Sequence, residues 1–314
     1  MFQFDKKMLQ YKSLIDSELD TIYTNGPTLL REPIDHIKHG GKRLRPSLCM
    51  LICDMFNIDI EKALIPAVSI ELLHLFSLVH DDIMDNDDLR HNKITLHKKW
   101  NISVAILAGD AILALAFKRL NNTDNTIKEL FNAALIAVCE GQALDIEYES
   151  SNLVTKNEYL NMVDLKTGHM IGLSAQLGGI LSDLNIEDVE KLNIYGKLIG
   201  RAFQVQDDLL EVLSSSSKMG KTLDSDFVLG KKTYLMIESK RLYPEEYDEI
   251  INISLKDNKR GFEKFKELLD ETGIINDCEE YISDTFLKAD KVIDNIKYKD
   301  NLNEFTKLIK NRKF

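Results

Sequence analysis

The sequence predicts an all-α fold. Apolar residues recur at helical spacing along nearly the whole chain, and strand-like alternation bounded by Asn-Gly or Asp-Gly turns is absent. Only five prolines occur (Pro27, Pro33, Pro46, Pro66, Pro244), and the reading places them near helix boundaries rather than inside long periodic segments. Pro46 introduces a helix over 47–56, and Pro66 opens one that runs to residue 85. Further helices are predicted over 101–120, 125–149, 156–181, 186–213 and 233–240, with shorter ones from Tyr247 to the C-terminus. Ser214 to Ser217 form a serine loop too short to tether two domains, and no repeat of 20–50 residues is visible. The expectation is one domain over 1–314 with about ten or more helices, too many for a four-helix bundle.

Composition narrows the function. With 314 residues the chain can bury a substantial core. A net charge of −11 argues against nucleic acid, whose phosphates call for a basic face. Cys49, Cys53, Cys139 and Cys278 match neither a zinc spacing nor a disulfide framework, so a reducing cytoplasm is expected. Residues 1–12 carry charge from Asp5 onward and lack an apolar signal core. No uncharged apolar stretch reaches the roughly 18 residues of a membrane span; 102–117 is interrupted by Asp110.

Two acidic clusters carry most of the chemical information. Asp81-Asp82-Ile83-Met84-Asp85 and Asp207-Asp208-Leu209-Leu210-Glu211 each place carboxylates at i, i+1 and i+4 directly after a long apolar stretch. On a helix such carboxylates point the same way and repel one another. A multivalent cation would relieve that repulsion, and hard oxygen ligands in this number suit Mg²⁺, which commonly shares its shell with substrate phosphates. One such cluster alone would read as a solvated helix end. Two matched clusters do not.

Around them lie further motifs in a fixed order. Gly40-Gly41-Lys42-Arg43-Leu44-Arg45-Pro46 comes first, and the first acidic cluster extends from His80 through Asn86-Asp87-Asp88-Leu89-Arg90. Gly141-Gln142 with Asp145, Lys166-Thr167, Phe203-Gln204-Val205-Gln206-Asp207-Asp208, and Gly220-Lys221 followed by Gly230-Lys231 complete the set. Each piece is weak alone, but together, over roughly residues 35–240, the chain resembles the trans-isoprenyl diphosphate synthases, most closely the archaeal geranylgeranyl type.

That resemblance implies an all-helical fold around a deep cavity, a homodimer, and Mg²⁺ as cofactor, with three ions per site. It implies a reaction in which an allylic diphosphate ionises, isopentenyl diphosphate attacks the cation, and a proton is lost. By match to the motifs, Asp81, Asp85 and Asp207 are the primary metal ligands, with Asp82, Asp208 and Glu211 acting through water or from behind them. Arg90, Lys166, Lys221 and Lys231 match contacts to the allylic diphosphate, while Thr167 and Gln204 match polar groups near the cation. Lys42, Arg45 and His74 match a metal-free site for isopentenyl diphosphate. His74 falls two helical turns before Asp81, which by pitch alone places it on the cavity side.

Three residues depart from the family pattern. His91 replaces a second arginine that helps bind isopentenyl diphosphate, which should weaken that contact and make it pH-sensitive. Glu211 ends the second cluster in place of aspartate, and Asp224 stands beside the matching Asp226 where glycine is common. Product length is expected to depend on Leu73, Phe76 and Ser77, on the helix leading to Asp81. Helical pitch puts Ser77 one turn below Asp81 on the cavity side and Phe76 toward the flank. A lone aromatic at Phe76 nevertheless resembles the enzymes that make C20 geranylgeranyl diphosphate. The sequence leaves open a farnesyl or longer-chain polyprenyl synthase, a partner-dependent subunit, and a class I terpene cyclase. The cyclase has no use for Lys42, Arg45 and His74.

Overall fold

The computed structural model describes residues 3–151, 153–213, 227 and 229–311. Helices α1 (Gln3–Thr21), α2 (Thr28–Lys38), α3 (Leu44–Met55) and α4 (Ile60–Met84) build the first half of the core. A two-stranded antiparallel hairpin, β1 (Leu89–Arg90) with β2 (Lys93–Ile94), leads through the short α5 (Leu96–Lys99) to α6 (Ile102–Leu120) and α7 (Asn125–Glu149). α8 (Lys156–Val163), a π-helical turn (Asp164–Gly168) and α9 (His169–Leu181) follow as one rod, then α10 (Ile186–Leu213). α11 (Tyr234–Leu242), α12 (Pro244–Ser254), α13 (Asn258–Thr272), α14 (Ile274–Val292) and α15 (Lys299–Lys310) close the chain.

Local chemistry explains most boundaries. Asp59, Asn101 and Asp124 cap α4, α6 and α7 by accepting backbone N–H groups, and Thr155 with Glu158 forms a capping box on α8. Pro244 occupies the first turn of α12, where its missing N–H is harmless.

Three sequence expectations require correction. Pro33 and Pro66 lie inside α2 and α4 rather than at their starts. The turn of α4 around Pro66 buries Ala63, Ala67, Val68 and Ile70, so packing outweighs one lost backbone hydrogen bond. The hairpin was not foreseen, because its turn is His91-Asn92 rather than Asn-Gly. Both residues take positive φ (50° and 62°), which asparagine and histidine tolerate better than most residues. The helix over 156–181 is interrupted by the π turn, a feature with no hydropathy signal.

The core forms where α4 packs on α6, α9 on α10, and α3 on both α4 and α9. The α9–α10 pair approaches closely because Gly196 faces Gly172: a Cβ on Gly196 would lie 2.7 Å from the Gly172 Cα. α4 is long and apolar enough to cross a membrane, but 61% of its apolar window is buried inside the fold, as befits a central core helix.

Candidate active site

A cavity of about 770 Å³ opens among α4, α7, α8, the π turn and α10, with the 40–43 loop, the start of α3 and the hairpin at one side. Asp81 and Asp85 enter it from the end of α4, and Asp207, Asp208 and Glu211 from the last turns of α10. Both clusters therefore sit at C-terminal helix ends, where the macrodipole already disfavours negative charge. Burial pushes the Asp81 carboxyl above the usual carboxylate range, Lys166 opposes this, and the neighbouring Asp85 charge adds to it.

Two lysines partly neutralise these acids. Lys231 Nζ donates to Asp85 Oδ1 at 2.9 Å and to Asp145 Oδ2 at 3.2 Å. Lys166 Nζ donates to Asp145 Oδ2 at 2.6 Å and lies 3.8 Å from Asp81. Burial disfavours the Asp145 charge, but the two lysines prevail and hold its carboxyl below the usual range. Asp145 is thus the bridge that keeps both amines at the cavity mouth. In the sequence Asp145 marks only a motif position beside Gly141-Gln142; the bridging role comes from the fold.

The second carboxylate of each cluster is held by protein. Arg90 pairs with Asp82 Oδ1 at 2.6 Å and with Asp87 at 3.1 Å. Asp208 accepts from the Tyr159 hydroxyl at 2.6 Å and from Gln204 Nε2 at 3.0 Å, and Gln204 Oε1 accepts from Thr167 at 3.0 Å. Tyr159 carried no sequence signal beyond an apolar-face position. The π turn presents Lys166 and Thr167 to the cavity, and Arg201 anchors it through Asp164. α7 can approach this turn because residue 141 is glycine; a Cβ there would sit 2.4 Å from Lys166 N.

The cations expected for a second diphosphate border the same cavity. Lys42 is exposed, whereas Arg45 Nη1 lies 3.2 Å from His74 Nε2 and its Nε is buried without a partner. Burial lowers the Arg45 guanidinium to about 10, with Glu71 opposing, and drives His74 well below its usual range, with Arg45 adding to the effect. Arg43 forms the strut beneath, its guanidinium bridging Asp16 at 2.8 Å and Glu71 at 2.6 Å. His91 also lines the cavity, its ring over Gly40 and Gly41.

Not every expected residue reaches the cavity wall. Ser77 lines it, as helical pitch requires, but Leu73 is fully buried in the core. Phe76 is 9% exposed, and its ring packs 4.6 Å from that of His80, outside the lining. Five residues amount to about 140° around a helix, enough to turn Phe76 away from Asp81's face. Lys221, Gly220, Asp224, Asp226 and the serine loop lie outside the described residues.

The geometry combines two acidic clusters, an internal lysine bridge and a separate cationic corner around one apolar-walled chamber. Against known proteins, the polyprenyl synthetase family model matches residues 27–272. The chain belongs to the polyprenyl synthetase family. This polyprenyl synthetase is 37% identical over 272 residues to a short chain isoprenyl diphosphate synthase of Methanocaldococcus jannaschii, covering 85% of this chain and 82% of that one. It is 38% identical over 248 residues to a geranylgeranyl diphosphate synthase of Saccharolobus solfataricus, covering 76% and 74%. The crystal structure of geranylgeranyl pyrophosphate synthetase from Pyrococcus horikoshii superposes with a TM-score of 0.91 at 33% identity, over 99% of this chain and 100% of that one. The all-α fold and the family drawn from the motifs both stand, and the enzyme is a trans-prenyltransferase.

Proposed function

We propose that this enzyme condenses isopentenyl diphosphate with allylic diphosphates and that its main product is C20 geranylgeranyl diphosphate. The carrying observation is that both acidic clusters and the Lys42–Arg45–His74–His91 corner line one cavity, giving two differently charged diphosphate subsites around a shared centre. The names of the relatives from Saccharolobus solfataricus and Pyrococcus horikoshii support the C20 assignment.

Mg²⁺ fits the donor set. Asp81, Asp85 and Asp207 offer hard oxygens, yet among the described residues no three such ligands are grouped to grip an ion unaided. That suits an ion whose remaining ligands are substrate phosphate and water. Asp82, Asp208 and Glu211 would act from behind, the first two already being held by Arg90, Tyr159 and Gln204. Bound Mg²⁺, up to three ions per site, would supply positive charge for the departing diphosphate.

The chain's own residues do the rest. Lys166, Lys231 and Arg90 hold the allylic diphosphate and stabilise its growing charge in place, without reorganisation, and Lys221 joins them by its match to the motif. Thr167 and Gln204 orient polar atoms toward the allylic carbon. Lys42, Arg45, His74 and His91 hold isopentenyl diphosphate so that its double bond faces that carbon. Val138, Met162, Val163 and Met170 supply an apolar wall that excludes water from the cation.

A homodimer is proposed through α6, whose exposed face carries Ile102, Ile106 and Leu107, with Ile136 and Ile146 exposed on α7. A cytoplasmic location accords with four unpaired thiols. The test is an assay of the purified chain with Mg²⁺ and either dimethylallyl or farnesyl diphosphate, with and without isopentenyl diphosphate, followed by product chromatography. Chain-elongated products that appear only with isopentenyl diphosphate support the reading. Products without it would indicate a cyclase, inactivity without a second protein a partner-dependent subunit, and full activity in excess chelator would refute the metal.

A further inference from the structure

Two glutamines line the cavity, and they differ in one respect. The Gln204 amide is engaged on both sides, accepting from Thr167 and donating to Asp208. Gln142 is 8% exposed, and neither its Nε2 nor its Oε1 has a hydrogen-bond partner. Burying both ends of an amide unpaired is unfavourable and persists where something other than the protein completes them.

Position says what that is. Gln142 lies on α7 one turn before Asp145, the bridge between Lys166 and Lys231, and one turn after Val138 on the apolar wall, all three bordering the cavity. Gly141 brings this stretch of α7 against the backbone of Lys166, so the amide stands at the level of the π turn. This is the boundary between the charged mouth and the apolar shaft. A prenyl diphosphate with its headgroup among the lysines places its C1–O bond at that boundary.

We propose, on the prenyl-transfer reading above, that Gln142 is a catalytic residue that contacts the allylic substrate at the bond that breaks. The C1–O bond breaks, its electron pair goes to the bridging oxygen of the leaving diphosphate, and an allylic cation remains on carbon. The amide N–H of Gln142 donates to that oxygen, and its carbonyl dipole faces the cation. One side chain thus serves both charges as they separate, which matches an amide with donor and acceptor both unspent.

The experiment compares wild type with Gln142→Leu, which keeps similar volume and removes both polar atoms. With saturating Mg²⁺, dimethylallyl diphosphate and isopentenyl diphosphate, kcat should fall by about ten- to a hundredfold while the KM for isopentenyl diphosphate changes less than about twofold. The melting temperature of the free protein should not fall, because two unmet polar groups are gone. The thermal shift produced by Mg²⁺ with the thiolodiphosphate analogue of dimethylallyl diphosphate should shrink. An unchanged kcat, or a lowered melting temperature with an unchanged analogue shift, would make Gln142 a structural amide and overturn the proposal. Should the leucine variant fail to fold, Gln142→Glu answers the same question: its carboxylate should repel the diphosphate and abolish the shift, and wild-type turnover would overturn the assignment. An inactive wild type would instead refute prenyl transfer, which the analogue shift reads separately.

Discussion

His91 stands at the tip of the hairpin with φ 50°, its ring against the Gly40-Gly41 loop and its side chain bordering the isopentenyl corner. Arginine there would bring a permanent forked donor for diphosphate, which an imidazole does not supply. His91→Arg should lower the KM for isopentenyl diphosphate and leave that for the allylic substrate nearly unchanged in steady-state kinetics. The left-handed backbone is compatible with arginine, since Arg43 holds φ 54° in the same fold. Equal changes in both constants would place His91 outside the subsite. His74 predicts a pH effect on the free protein. Burial and Arg45 hold its folded pKa below the unfolded value of about 6.5, so the unfolded chain binds the proton first as pH falls. Stability contributed by neutral His74 is therefore complete above about pH 6.5 and is lost as pH drops toward its lower folded value. Denaturant titrations at pH 7.5 and 5.5 should show that loss, and His74→Gln should flatten it.

At the level of elements, the contact between α7 and the π turn and the pitch of α4 decide the site. Gly141→Ala would drive a methyl to 2.4 Å from Lys166 N and 2.7 Å from its Cα, so one of the two elements must move. Overpacking of this kind typically destabilises by about 1–3 kcal/mol. Turnover should fall further than stability alone explains, because Lys166 and Asp145 lose their 2.6 Å contact; calorimetry and kcat measured together check this. On α4, Ser77→Phe puts a ring on the cavity wall one turn below Asp81 and should shorten products toward C15. A steric block worth about 1–3 kcal/mol reduces the next condensation by roughly ten- to a hundredfold. Phe76 fills space behind that wall beside His80, so Phe76→Ala should open the shaft and lengthen products beyond C20. Chromatography of dephosphorylated products reads both variants, and an unchanged C20 product in Phe76→Ala would leave Phe76 as core packing.

Across the whole molecule, two long core helices position charge. α4 and α10 cross the core and end in the two carboxylate clusters, while α9 and α3 hold them in register. The exposed apolar stripe of α6 lies on the opposite side of that helix from its buried face of Ala105, Ala108 and Ile112. If a second copy covers that stripe, Leu107→Asp should convert the dimer to a monomer in light scattering. A dimer that survives the substitution would move the interface elsewhere.

The helices over 125–149 and 186–213 and the paired acidic clusters were legible from residue order alone, because apolar periodicity and i, i+4 carboxylates are local properties of the chain. The meeting of Lys42, Arg45 and His74 at one cavity was legible only through their resemblance to a known pattern; no local rule brings a loop at residue 42 to a helix at residue 74. Tertiary structure alone decided three matters. It carried α4 through Pro66, since burial of the surrounding turn outweighs one missing backbone hydrogen bond. It opened a π turn at Lys166-Thr167, which hydropathy cannot signal because the apolar spacing on either side remains helical. And it tied Asp145 to two lysines from distant parts of the chain while leaving the neighbouring Gln142 amide unpaired, because electrostatic pairing depends on distance in space and not on separation in sequence.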